Sequence, residues 1–137
     1  MEGTQSHPPL AKRIATDADV ATCVVGAGQA AAAAGLDDAA RQRFATAVSE
    51  LARNIIKFAG SGEIQIGEVV KGNLSGVEAT ASDAGPGIAD LEQAMTDHYS
   101  SVGTLGIGLP GVKRMMDEFE IDTEPGRGTS VTIRKWR

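Results

Sequence analysis

The sequence predicts an α/β two-layer sandwich, in which a mixed, mostly antiparallel sheet is covered on one face by helices. Two segments in the first half carry helix start and stop residues and an apolar stripe. Later segments alternate apolar and polar residues and are joined by glycine-containing turns, as antiparallel strands are. A chain of 137 residues fits one domain. We assign residues 1–9 to a flexible N-terminal tail and residues 10–137 to that domain.

The charge and cysteine content argue against several classes of function. Lys and Arg total 13 against 18 Asp and Glu, a net charge of −5 without a long basic run, so nucleic acid and anionic membranes are not expected partners. The single cysteine, Cys23, cannot form an internal disulfide, and no signal segment opens the chain. We therefore expect a cytoplasmic protein without membrane spans. The two histidines and the cysteine lack zinc-site spacing.

The chain is predicted to begin with a short strand and a small-residue helix. Residues 10–15 form the strand. Asp17 caps the helix, which runs to about Ala34 and stops at Gly35. Because this helix is rich in alanine, it is expected to pack closely against a sheet or a core.

The second predicted helix carries a continuous apolar stripe. It begins at Asp37 or Asp38 and ends at Phe58, before Gly60. At about 100° per residue, five apolar side chains fall within about 40° of one line. These are Phe44, Val48, Leu51, Ile55 and Phe58. The stripe is predicted to face the core.

One flank of the same helix carries polar residues. Glu50, Asn54 and Lys57 lie together, about 80° to 140° from the stripe centre, while Arg53 lies opposite the core. Such a flank is either a solvated helix edge or the border of a cleft. In the second case the carboxylate and the carboxamide would line that cleft.

A hairpin follows, and its second strand ends in an aspartate. Residues 62–70 and 77–82 form the strands and residues 71–76 the connecting loop. Alternation places Asp83 on the small, apolar face, where a carboxylate is costly unless a group donates to it. Gly85-Pro86-Gly87 then turns the chain. Asp83 either caps this turn or accepts a hydrogen bond from a purine exocyclic amine, and we favour the purine.

Residues 103–111 contain four glycines and lead into a predicted helix over residues 110–119. Free backbone amides at a helix N-terminus attract anions, so this loop is predicted to hold phosphate. A dinucleotide motif would need a strand directly before the loop, and no P-loop motif is present. An ordinary glycine-rich turn remains the alternative. Residues 89–95 are predicted to be a short helix and residues 96–105 a mobile lid.

The chain ends in a second hairpin. Residues 120–124 and 129–136 are predicted strands, joined by a turn over residues 125–128. Alternation directs Thr129 to the same face as Val131 and Ile133. Thr129 is therefore either an ordinary strand residue or a hydroxyl that serves the site containing Asp83.

Four of these segments, in this order, resemble the motifs of the GHKL, or Bergerat-fold, ATP-binding domains. Glu50-Leu-Ala-Arg-Asn54 resembles the N box and Asp83-Ala-Gly-Pro-Gly87 the first glycine box. Residues 103–111 resemble the second glycine box, and Gly126-Arg-Gly-Thr129 resembles the terminal G-x-G-T. Within this superfamily the chain is similar to the RsbT-type serine/threonine kinases of bacterial partner-switching (stressosome) systems, notably over Gly108-Leu-Pro-Gly-Val-Lys-Arg-Met-Met-Asp-Glu-Phe119.

The resemblance implies ATP and Mg²⁺ as cofactors and a serine or threonine of a STAS-domain antagonist as substrate. It implies that Asn54 ligates Mg²⁺ and that Glu50 is the general base. Asp83 would accept from the adenine amino group, supported by Thr129. The other residues expected to bind the cofactor are Lys57, Gly85, Gly87, Ile88, Gly103, Gly106, Ile107, Gly108, Leu109 and Gly111.

Two other functions share these motifs. One is an anti-sigma factor that sequesters a transcription factor and uses nucleotide as a switch. The other is a non-catalytic nucleotide-binding module that activates a downstream phosphatase by contact. The RsbT-like character of residues 109–119 favours the kinase. No helix pair with a phosphoacceptor histidine is recognisable, which argues against a self-contained sensor histidine kinase.

Overall fold

The computed structural model describes residues 10–88, Met95 and residues 108–137. Their elements are β1 (Leu10–Ile14), α1 (Asp17–Ala33), α2 (Asp38–Ala59), β2 (Gly62–Lys71), β3 (Leu74–Asp83), α3 (Gly108–Met115), β4 (Glu118–Glu124) and β5 (Gly128–Trp136). The predicted tail over residues 1–9, the helix over residues 89–95 (apart from Met95) and the lid over residues 96–105 lie outside the described residues. Among the described helices, none has the length and apolar character needed to cross a bilayer.

The predicted two-layer α/β sandwich is confirmed. The five strands are arranged in the order β1-β2-β3-β5-β4. All four pairings are antiparallel, so the described strands contain no parallel pair of the kind that a mixed sheet would include. A single core of apolar residues from the sheet and all three described helices lies between the two layers.

A reciprocal cap starts α1 one residue earlier than predicted. Thr16, and not Asp17, is the N-cap, because its hydroxyl accepts from the Asp19 amide at 3.2 Å while Asp19 accepts from the Thr16 amide at 3.0 Å. This pairing satisfies two amides at once. Asp17 has Val20 three residues later and cannot form it. In α2 the cap is Asp37, one of the two predicted candidates.

The predicted core stripe of α2 is correct except at its end. Phe44, Val48, Leu51 and Ile55 are buried, whereas Phe58 is 50% exposed and lies beside the Lys57 ammonium. In the last turn of α2, Ala59 and not Phe58 packs against the rest of the protein, at Gly85. A β-carbon added to Gly85 would lie 2.6 Å from the Ala59 β-carbon. At the end of α2 the chain therefore packs against Ala59, while the adjacent Phe58 side chain stays half-exposed.

Two predicted boundaries are wrong because cross-strand pairing extends the strands. Lys71 pairs with Leu74, so β2 and β3 are joined by only two residues rather than by a loop over residues 71–76. Likewise, α3 ends at Met115 and not at Phe119. Phe119 pairs with Ile133, because from residue 118 onward polar and apolar side chains alternate with the period of a strand.

The predicted side-chain alternation on the sheet is confirmed. Ala81 and Val131 are neighbours on the helix-covered face, and the next residues of the same parity are Asp83 and Thr129, which pair with each other. The opposite face carries polar pairs, such as Thr80 with Thr132. The sheet therefore presents polar residues at one end of an otherwise apolar face, beside the end of α2.

Candidate functional site

Three polar residues form a row across adjacent strands at the end of the helix-covered face. Asp83 on β3 pairs with Thr129 on β5, which pairs with Thr123 on β4. Directly paired residues of an antiparallel sheet share a face. All three side chains are half-buried. At this edge of the core, the face therefore carries hydrogen-bonding side chains where the rest of it carries apolar ones.

The Asp83 carboxylate caps the first glycine turn. Its Oδ1 accepts from the Gly85 amide at 2.9 Å, which is the turn-capping role that the sequence left open. A carboxylate has two oxygens and several acceptor positions. Within residues 10–88 and 108–137, no hydrogen bond engages Oδ2. The capping role and a contact with a ligand are therefore compatible.

The first glycine turn and the β4–β5 turn are held tightly together. The Gly126 amide donates to the Pro86 carbonyl at 2.8 Å. Gly87 has φ +77°, and a β-carbon there would overlap the Glu124 carbonyl. Gly128 has φ +122°, and a β-carbon there would overlap the Asp83 carbonyl. These two glycines permit an approach that other residues would block, so both turns form one unit around the row.

Thr123 joins this unit, and the sequence alone did not reveal it. Its hydroxyl accepts from the Ile88 amide at 2.8 Å and lies 2.8 Å from the Thr129 hydroxyl. The signal that could have identified Thr123 is the length of the turn after β4. The turn has three residues (125–127) and not the predicted four, so Glu124 pairs with Gly128 and Thr123 lies opposite Thr129.

A second group of residues lies along α2. Glu50 is 7% exposed, Asn54 is half-buried and Lys57 is exposed. Glu50 Oε1 accepts from the Gly108 amide at 3.2 Å, at the N-terminus of α3. The amide and the positive end of the helix dipole compensate the buried carboxylate. The solvated-edge interpretation is therefore wrong for Glu50.

Helix α2 connects the two groups. Its last turn contacts Gly85 at Ala59, and nine residues earlier Glu50 contacts the start of α3. At 1.5 Å per residue these contacts are about 13 Å apart along the helix. The polar row and the start of α3 therefore lie toward opposite ends of this stretch of α2.

The remaining predicted residues fall into two classes. Leu109 and Gly111 are buried in α3, where they pack against the core. Gly103, Gly106 and Ile107 lie outside the described residues.

The residues around Asn54 fit a magnesium site completed by phosphate. The described part of the chain contains no group of three or more His, Cys, Asp or Glu side chains that could hold a metal unaided. Among the described residues, no hydrogen bond engages the side-chain amide of Asn54. Mg²⁺ takes few protein ligands when substrate phosphates and water supply the others. A single amide oxygen, one helical turn from Glu50 at the start of α3, would suit this ion if phosphate binds there as predicted.

Comparison with known proteins identifies close relatives. Over 124 residues the chain is 42% identical to the serine/threonine-protein kinase RsbT of Bacillus subtilis (strain 168), covering 90% of this chain and 93% of that protein. It is also 34% identical over 96 residues to the anti-sigma F factor of Thermoanaerobacter sp. (strain X514), covering 66% of each. Both alignments are long enough to indicate common ancestry.

A solved structure shares the fold. The crystal structure of the RsbU and RsbW domains of Rv1364c from Mycobacterium tuberculosis matches with a TM-score of 0.65 and 20% identity, covering 96% of this chain and 33% of that one. The chain thus spans about a third of that protein, and the likeness concerns the fold alone. The family model of the histidine kinase-like ATPase domain matches residues 14–135. The predicted membership is confirmed: the chain belongs to the histidine kinase-like ATPase domain family, within the group that includes the kinase RsbT.

Proposed function

We propose that the protein is an ATP-dependent serine/threonine protein kinase that phosphorylates a STAS-domain antagonist in a bacterial stress or signalling partner switch. The observation that carries this proposal is the position of Glu50. A buried carboxylate contacts the first amide of α3 and lies one helical turn from Asn54. In the proposed roles, a base, a metal-ligating amide and a phosphate-binding helix start would thus be adjacent. The 42% identity to RsbT supports the same reading.

The adenine end of the proposed site is the polar row. Asp83 Oδ2 would accept from the adenine amino group while Oδ1 keeps its bond to the Gly85 amide. Thr129 would support that contact from the paired position on β5. Gly85, Gly87 and Ile88 would line the flat face of the base. These roles follow from the family resemblance and agree with the hydrogen-bonding capacity of the row.

The phosphate end is formed by α2 and the start of α3. Asn54 would hold Mg²⁺, which supplies charge neutralisation to the transferring phosphoryl group. The Gly108 amide and the dipole of α3 would receive phosphate oxygens. Lys57 follows Glu50 by seven residues, about 10 Å along α2, and as a cofactor contact it would act closer to the adenine end. The glycines of residues 103–107 would complete this grip. Phosphoryl transfer depends mainly on such positioning and charge stabilisation.

Glu50 would act as general base. A phosphate at the Gly108 amide takes the place of the carboxylate, which is then available to the substrate hydroxyl. Glu50 accepts the proton from the serine or threonine hydroxyl of the partner while the oxygen attacks the γ-phosphorus and ADP leaves. A base must lie within hydrogen-bond reach of that proton.

The test is transfer of labelled phosphate. The protein is incubated with γ-labelled ATP, Mg²⁺ and STAS-domain proteins encoded beside it, and the modified residue is mapped. We expect one serine or threonine of a STAS protein to be labelled by the wild type and not by Glu50→Gln. Glu120→Gln, the same charge change at an exposed position of β4, is the matched control. Labelling by Glu50→Gln at the wild-type rate would refute the assignment of the base.

The similarity to the anti-sigma F factor supports a second candidate function. Here the protein would bind a sigma factor and release it under the control of nucleotide. Co-purification separates the two candidates, since a bound STAS protein favours the kinase and a bound sigma factor the alternative. Contact activation of a phosphatase is a further role compatible with the same fold. For each of these roles we expect a cytoplasmic location.

A further inference from the structure

The Thr123 hydroxyl connects three segments of the proposed adenine site. It accepts from the Ile88 amide at 2.8 Å, after the first glycine turn. It lies 2.8 Å from the Thr129 hydroxyl on β5 and 3.3 Å from the Gly128 carbonyl. The proposed adenine contacts involve Asp83 and Thr129 but not Thr123. The three contacts of Thr123 therefore raise the question of what this residue contributes to the site.

The Thr123 hydrogen has two acceptors within reach, the Thr129 hydroxyl and the Gly128 carbonyl. A hydroxyl carries one hydrogen and can accept two hydrogen bonds. The Ile88 amide uses one acceptor position and, by polarising the hydroxyl, makes Thr123 a better donor. Hydrogen bonds between oxygens cluster near 2.7–2.8 Å and rarely exceed about 3.0 Å. The Gly128 carbonyl at 3.3 Å can accept from Thr123, and at the 2.8 Å contact with Thr129 either hydroxyl can be the donor. The greater length of the carbonyl contact favours the arrangement in which Thr123 donates to Thr129.

This direction sets the hydrogen-bonding character of Thr129. In the arrangement in which Thr129 accepts from Thr123, the hydrogen of Thr129 remains available to a ligand. The row then offers a carboxylate acceptor at Asp83 beside a hydroxyl donor at Thr129. Adenine presents the complementary pair, an amino donor beside the acceptor N1. Guanine presents the reverse, a carbonyl acceptor beside an N1–H donor.

We propose that Thr123 is a positioning residue for base selection. It holds the Thr129 hydroxyl as a donor toward N1 of adenine, directly or through one water, without touching the nucleotide itself. The inference rests on the proposed nucleotide-binding function and adds to it the residue that distinguishes adenine from guanine together with Asp83. Its effect is indirect, so the test must separate base selection from support of the turn.

The test uses a nucleotide that lacks the atom in question. Dissociation constants are measured for ATP, GTP and 1-deaza-ATP, in which a C–H group replaces N1. We expect Thr123→Val to weaken ATP binding about three- to tenfold, the usual contribution of one hydrogen bond, and to narrow the preference for ATP over GTP. Binding of 1-deaza-ATP should change less than about twofold, because the N1 contact is already missing. Thr123→Ser should restore the wild-type pattern.

Three further variants complete the experiment. Thr132→Val is the matched control, since it removes the Thr80–Thr132 hydroxyl contact of 3.2 Å on the opposite sheet face, and it should leave all three affinities unchanged. Asp83→Asn should weaken ATP and 1-deaza-ATP alike, because both carry the amino group. Thr123→Ala provides the same comparison as Thr123→Val should the valine variant not fold.

The outcomes separate the two levels of the hypothesis. Equal weakening of ATP and 1-deaza-ATP by Thr123→Val would mean that Thr123 only supports the turn through the Ile88 amide, and the inference would be overturned while nucleotide binding stands. A wild-type protein that binds none of the three nucleotides would overturn the proposed function and the inference together.

Discussion

Replacing Glu50 by glutamine should change stability and nucleotide affinity in opposite directions. Glu50 is 7% exposed, and its Oε1 accepts from the Gly108 amide at 3.2 Å. A partly buried anion at a helix N-terminus contributes about 1 kcal/mol and at most about 2 kcal/mol. Glutamine keeps an acceptor oxygen but loses the charge. We therefore expect the free energy of unfolding to fall by about 1 kcal/mol, which lowers the melting temperature by a few degrees.

The loss of this charge–helix interaction in Glu50→Gln should strengthen nucleotide binding. In the proposed mechanism, phosphate and the Glu50 carboxylate compete for the Gly108 amide, so ATP binding to the wild type would displace a charged group that the helix stabilises. Displacing a neutral amide costs about 1 kcal/mol less, and we expect Glu50→Gln to bind Mg²⁺–ATP about fivefold more tightly. Phosphate transfer to the partner should fall at least about 100-fold, since the base is lost.

Calorimetric titration with Mg²⁺–ATP, thermal unfolding and the labelling reaction measure these three quantities on one preparation. Glu120→Gln controls for the change in net charge, because Glu120 is exposed on β4. Weaker nucleotide binding by Glu50→Gln would refute the competition at the Gly108 amide. Unchanged stability would show that the carboxylate contributes nothing to the start of α3.

Three further predictions concern the metal, the glycine contact and the response to pH. Asn54→Ala should weaken Mg²⁺-dependent ATP binding at least about tenfold and leave metal-free binding unchanged, and equal titrations with and without Mg²⁺ would refute the ligand assignment. Gly128→Ala should lower the free energy of unfolding by more than about 2 kcal/mol, because its β-carbon would overlap the Asp83 carbonyl. The control Gly126→Ala, at φ +84° with open space around it, should lower the free energy of unfolding by only about 1 kcal/mol. Chemical denaturation distinguishes these values, and equal losses in the two variants would contradict the overlap. Hydrogen bonding from Arg134 lowers the pKa of Glu118 below its ordinary 4.5, so its stabilisation is present above that pH and lost as pH falls through the lowered pKa. Glu118→Gln should therefore be less stable than wild type at pH 7 and approach it below pH 4.5, and a constant difference across that range would contradict the assignment.

Much of the candidate site was predictable because its signals are local. Alternation with a period of two placed Asp83 and Thr129 on one face, and strand pairing then made them direct partners. The helical period placed Glu50 and Asn54 on one flank of α2. These inferences need only the geometry of a single element, and a single element is encoded in consecutive residues.

Other features required the whole fold. Phe58 is exposed although it continues the apolar stripe, and the cap on α3 joins Glu50 to an amide 58 residues later. The role of Thr123 appears only when β4 is paired with β5. By itself the sequence determined which elements form and which faces they bury, since these depend on short-range periodicity. Only the tertiary structure decided which polar groups meet, because distant segments compete for the same hydrogen-bond partners and packing selects among them.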